Sequence, residues 1–151
     1  MDQHIYNVSL TWKEGRLGEL SSPELDTKFE VATPPNFNKG IDRIWSPEHL
    51  YTAAASSCLM TTFLAIAENS KLDFASFEID AKGMLDKVEG KFLMTEIDLL
   101  PRIVIRNEND REKAERILQK SEQACLISNS MTAKVVLHPT ILVEQLTFSK
   151  N

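Results

Sequence analysis

The sequence predicts an α+β fold built on an antiparallel sheet. Three observations carry that expectation: period-2 alternation of apolar residues near both ends and in the middle, one long uncharged helical stretch, and a second helix with a single apolar face. The order is strands, buried helix, hairpin, second helix, strands. No internal repeat or low-complexity segment interrupts it, so the 151 residues read as one domain with one core.

Near the N-terminus Tyr6, Val8, Leu10 and Trp12 alternate with polar residues, the period of a half-buried strand. Gly15-Arg16-Leu17-Gly18 turns the chain. A second alternating stretch with Phe29 and Val31 runs into Thr33-Pro34-Pro35-Asn36, where two prolines end regular pairing, and a loop continues to Trp45. Ser46-Pro47-Glu48 then starts a helix, with Ser46 as N-cap, Pro47 at the first helical position and Glu48 beside the positive end of the dipole. This helix runs to about Asn69. Being apolar or small on every face, it must be enclosed by protein on all sides.

Phe77, Ile79, Ala81 and Leu85 alternate next, Glu89-Gly90 supplies a turn, and Leu93, Thr95, Ile97 and Leu99 return as the partner strand. Pro101 interrupts without ending it, since Ile103 and Ile105 continue the alternation. From Asn109, a plausible N-cap by residue type, Ala114, Ile117, Leu118 and Ala124 mark one face of a surface helix. Two strands close the chain, at Ala133–Leu137 and Ile141–Val143, with Pro139 between them.

A formal charge of −5 and the lack of any Lys/Arg cluster argue against nucleic acid or an anionic membrane as partner. The uncharged run Leu50–Ala67 holds Thr52, Ser56, Ser57, Thr61 and Thr62, which favours a core helix over a membrane span. The N-terminus has no basic region followed by an apolar run, so a cytoplasmic, reducing compartment is expected, in which two cysteines do not form a permanent staple.

Those cysteines, Cys58 and Cys125, are too far apart for a thioredoxin-type motif, and taken singly each reads as a small buried hydrophobe. His4, His49 and His138 are scattered without zinc spacing, so no metal is expected. The ordered combination is more informative. Gly15-Arg16, Ser46-Pro47-Glu48-His49-Leu50, a small-residue helix holding Cys58, and Ala124-Cys125 before Ile127-Ser128-Asn129 together resemble the OsmC/Ohr family of osmotically inducible and organic hydroperoxide resistance proteins. The resemblance covers nearly the whole chain.

It implies an OsmC-like fold, an intertwined homodimer in which antiparallel sheets wrap two central buried helices. It also implies reduction of alkyl or lipid hydroperoxides with thiols. Cys58 then matches the cysteine that attacks the peroxide, Cys125 the one that resolves the sulfenic acid, and Glu48 the glutamate of the proline-glutamate pair. The family's arginine has two seats. Arg16 matches the early glycine-arginine turn and is favoured over Arg43, which lies near the second. Two residues depart from the pattern: Ser46 stands where asparagine is common, and Leu126 where proline is common.

The chemistry fits those residue types. A thiolate well inside a helix is beyond the reach of the dipole, so a cation is expected to hold it ionised. A guanidinium stays charged and can donate to the departing peroxide oxygen, while a carboxylate orients it through a bidentate pair. Cys125 then closes a disulfide that an external dithiol reduces, and no cofactor is required. Glu48 and Cys58 are ten residues apart, about 15 Å along one helix, which no glutamate spans. The expected site is therefore shared between two subunits, with each Glu48 serving the other chain's Cys58. A non-enzymatic dimer that binds an apolar ligand, or a thiol redox sensor, would share the same fold.

Overall fold

The computed structural model describes residues 2–145. They divide into two compact units, with the boundary between Leu50 and Tyr51.

The first unit holds an antiparallel sheet of β1 (Ser9–Glu14), β2 (Leu17–Ser21) and β3 (Phe29–Ala32), in that order. Gly15, at φ 51°, makes the β1–β2 turn with Arg16. Leu17 and Gly18, expected within that turn, instead begin β2, a strand the alternation did not reveal. A side chain at Gly18 would press on Leu10 and on the Thr11 carbonyl, so the residue that reads as a turn signal is there for close strand approach. The half-buried strand expected around Tyr6–Trp12 is also corrected. It begins at Ser9 and is exposed throughout, with Trp12 at 74% of its full accessibility, because an edge strand of a small sheet has no element of its own unit over either face.

The loop after β3 is tightly folded. Phe37 N–H donates to the Pro34 carbonyl, Gly40 N–H to Phe37 and Ile41 N–H to Thr33, and a side chain at Gly40 would collide with the Pro34 backbone. Ala32 N–H then donates to the Trp45 carbonyl at 2.8 Å, which delivers Ser46 to the helix start. Ser46 is the N-cap, as expected: its buried Oγ accepts from His49 N–H at 3.2 Å and lies 2.6 Å from His49 Nδ1.

Helix α1 (Pro47–Asn69) then runs unbroken into the second unit. It is long and apolar enough to cross a membrane, yet Ala55, Leu59, Phe63 and Ala67 form a stripe at helical spacing that is buried in the core. Phe63 stacks on Phe77 with centroids 4.3 Å apart and meets Phe74 edge-on at 5.4 Å. Full burial of Leu59 and Phe63 contributes about 1.5–3 kcal/mol each. The expectation of enclosure on all sides holds for that stripe alone. Ser57, Met60, Thr61, Leu64 and Ala65 are exposed, because one chain has sheet for only one side of the helix.

β4 (Phe74–Val88) and β5 (Lys91–Ile105) form the expected hairpin, closed by Glu89 and Gly90 at φ 49° and 80°, the left-handed pair that two-residue hairpin turns require. The last strands, β6 (Lys134–Leu137) and β7 (Thr140–Val143), pair parallel with β5, so this sheet is mixed rather than wholly antiparallel. They succeed one another along the same edge of β5. Pro101 sits where β6 has ended at Leu99 and β7 has not begun at Arg102, so its missing N–H breaks no bond on that edge.

A 3-10 turn (Glu108–Asp110) leads into α2 (Arg111–Ala124). The N-cap of α2 is Asp110, without a side-chain cap bond, and not Asn109 as expected; Asn107 caps the 3-10 turn, its side chain accepting from Asn109 N–H. Ala114, Ile117 and Leu118 of α2 close one core cluster with Phe63, Ile103 and Ile105. Ala55, Leu59, Ile97, Leu99 and Ala133 form the other.

Candidate thiol site

α1 carries Cys58 on the flank of its buried stripe, and Thr62, one turn later, lies with its hydroxyl 3.9 Å from the Cys58 sulfur. Cys125 arrives by a different route. At the end of α2 its backbone turns extended, with φ −67° and ψ 106°, and it caps the four-residue helix α3 (Leu126–Asn129). Its sulfur accepts from the Ser128 hydroxyl at 3.3 Å, and Asn129 Nδ2 ties the segment back to the Gln123 carbonyl at 3.0 Å. Both cysteines are buried free thiols.

Each of the two thiols shifts the acidity of the other. Burial pushes Cys58 up, but the Cys125 thiol, the Ile127 N–H, the Thr62 hydroxyl and the Leu126 N–H together bring it below the ordinary thiol range. Cys125 moves the opposite way. Burial and Cys58 raise it, against an opposing pull from the Ser128 hydroxyl and N–H. A thiolate-prone sulfur beside a protonated one can act as a nucleophile with its resolving partner in place.

The structure thus brings together Cys58 and Cys125. It also adds groups the sequence reading missed: Thr62, the Leu126 and Ile127 amides, and Ser128. Thr62 could have been found from its spacing of four after Cys58. The amides leave no signal in residue type.

Arg16 and Glu48 belong to the first unit. Arg16 is exposed in the β1–β2 turn and lines a cavity of about 430 Å³ with Leu10, Trp12, Leu17, Val31 and Pro47. Trp12 Nε1 fixes that turn by donating to the Gly15 carbonyl at 3.1 Å. Glu48 is half-buried in the first turn of α1, and Arg43 is exposed in the left-handed region at φ 67°. Among the described residues no group of three or more His, Cys, Asp or Glu side chains could hold a metal.

A family model described as OsmC-like protein matches residues 39–139, which include Glu48, Cys58 and Cys125. The chain belongs to the OsmC-like family. Arg16 lies outside the matched segment. The uncharacterized protein YmaD of Bacillus subtilis (strain 168) is 25% identical over 141 residues, spanning 90% of this chain and 91% of that one. Among solved structures, an OsmC-like protein of unknown function from Vibrio cholerae has a TM-score of 0.82 at 23% identity, over 91% of this chain and 99% of its own. An organic hydroperoxide resistance protein from Elizabethkingia anophelis has a TM-score of 0.73 at 24% identity, over 95% of this chain and all of its own. Those likenesses establish the OsmC-like fold, with sheets and long helices in the same architecture.

Proposed function

We propose that this chain is a thiol-dependent peroxidase that reduces organic hydroperoxides. The observation that carries the reading is the pair of buried free thiols that act on each other, Cys58 held towards the thiolate and Cys125 towards the thiol. The family, which has organic hydroperoxide resistance proteins among its structural relatives, supports the substrate class.

In this reading the Cys58 thiolate attacks the terminal peroxide oxygen. The O–O bond breaks, the alkoxide takes a proton and leaves as alcohol, and Cys58 becomes a sulfenic acid. The sulfur of Cys125 then attacks that of Cys58, forming the disulfide as hydroxide leaves and is protonated to water. An external dithiol supplies two electrons and two protons to restore both thiols. Arg16 keeps the role that the resemblance gives it, as the guanidinium that faces thiolate and peroxide, and Glu48 orients it.

The exposed side of α1, with Met60 and Leu64 open, and the exposed apolar residues of β1 support a homodimer that covers them. The need for an external dithiol fits a cytoplasmic protein.

Consumption of an alkyl hydroperoxide with a dithiol tests the function. Wild-type protein turns over, Cys58→Ser does not, and Cys125→Ser reduces about one equivalent and accumulates a trappable sulfenic acid. Full turnover by Cys58→Ser would sink the assignment, and reversible disulfide formation without turnover would describe a sensor.

A further inference from the structure

Ser128 has no part in the scheme above. Its hydroxyl nevertheless donates to the sulfur of Cys125 at 3.3 Å, in a chain where Cys125 is fully buried. The placement follows from local geometry. Cys125 caps α3, so the residue three positions later turns back over it, as a capped first turn requires. Asn129 Nδ2 on the Gln123 carbonyl and the Ser130 hydroxyl on the Leu126 carbonyl hold the segment in that turn.

A fully buried sulfur is a poor place for negative charge, and Cys58 of α1 is the ionisable group that faces it. Resolution needs that charge. Cys125 must give up its proton to attack the sulfenic sulfur, and the Ser128 hydroxyl is the side-chain donor that meets it. The groups that lower Cys58 are different ones, namely Cys125 itself, Thr62 and the Leu126 and Ile127 amides.

We propose that Ser128 is a catalytic residue of the resolving step alone, stabilising the Cys125 thiolate by hydrogen bonding as it attacks the Cys58 sulfenic acid. The S–S bond forms and the S–O bond breaks. The proton released by Cys125 balances the hydroxide that leaves as water. The inference rests on the peroxidase reading for the step it serves, but the hydroxyl–sulfur contact can be tested without it.

Two measurements decide it. In a single turnover with one equivalent of alkyl hydroperoxide, Ser128→Ala should form the sulfenic acid at the wild-type rate but close the disulfide about tenfold more slowly, the effect of losing a hydrogen bond to a charged group. Ser128→Thr, which keeps the hydroxyl, should recover most of that rate. In a Cys58→Ser background, where no sulfenic acid can form at this site, titration of Cys125 by thiolate ultraviolet absorbance should move to higher pH when Ser128 becomes Ala. Disulfide closure unchanged in Ser128→Ala, or an unmoved Cys125 titration, overturns the role of Ser128. Absence of sulfenic acid in Cys125→Ser protein after alkyl hydroperoxide overturns the peroxidase reading instead, and leaves the titration to judge the contact.

Discussion

Cys58 and Cys125 shift each other in opposite directions: beyond the burial that raises both thiols, Cys125 lowers Cys58 and Cys58 raises Cys125. The pair is therefore asymmetric before any peroxide arrives.

Alkylation should reveal the asymmetry. Only the thiolate reacts, and its fraction rises as pH passes through the pKa. Cys58, lowered, should have its labelling midpoint below the ordinary thiol range, and Cys125, raised, above it. Peptide mass spectrometry after brief iodoacetamide pulses across a pH series gives each midpoint separately, which removes the effect of access. A lower midpoint for Cys125 would reverse the assignment of nucleophile and resolver.

Leu126→Pro isolates one donor. The position is the first of α3, where proline is tolerated, and the extended ψ of 106° at Cys125 suits a residue before proline. The Leu126 side chain is exposed, so little packing is lost. The variant should fold, shift the Cys58 midpoint upward and slow peroxide attack at neutral pH by roughly three- to tenfold. An unmoved midpoint would leave Ile127, Thr62 and Cys125 as sufficient donors.

For the arginine, Arg16→Lys should reduce peroxidase activity at least about tenfold while Arg43→Lys changes it little, because an ammonium lacks the planar fork that can serve sulfur, peroxide and carboxylate together. Stopped-flow rates of sulfenic acid formation distinguish the two. The larger loss in Arg43→Lys would transfer the role.

Subunit sharing has its own test. Inactive Cys58→Ser and inactive Glu48→Gln proteins, mixed under conditions that exchange subunits, should regain roughly a quarter of wild-type activity, since half the dimers each recover one intact site. Proven exchange without recovery would assign both residues to one chain.

The long hairpin and α1 were legible because their signals are local: alternation through Phe77 to Ile105 around Glu89-Gly90, and Ser46-Pro47-Glu48 at a helix start. β2 was hidden because Gly18, which serves strand approach, carries the same letter as a turn residue. Pairing direction was hidden because β6 and β7 meet β5 only after a long excursion, and alternation is the same in parallel and antiparallel ladders. The cysteine pair came from an ordered pattern of residues. What lowers Cys58 did not, because two of its donors are backbone amides and the third new one, Thr62, is an ordinary helix residue until the fold turns it towards a sulfur.

The successive parallel strands on β5 also set an order of assembly. A hairpin with a two-residue turn closes in microseconds, whereas parallel partners wait for distant chain to return. During synthesis Cys58 emerges before the hairpin, and Cys125 only after it, at the end of α2. The thiol pair thus joins α1 to chain that arrives after the hairpin, and in the finished protein it should open before the hairpin does. Cys58 labelling that rises in mild denaturant before the hairpin amides exchange would display that order, and simultaneous loss of both would show the unit opening as one.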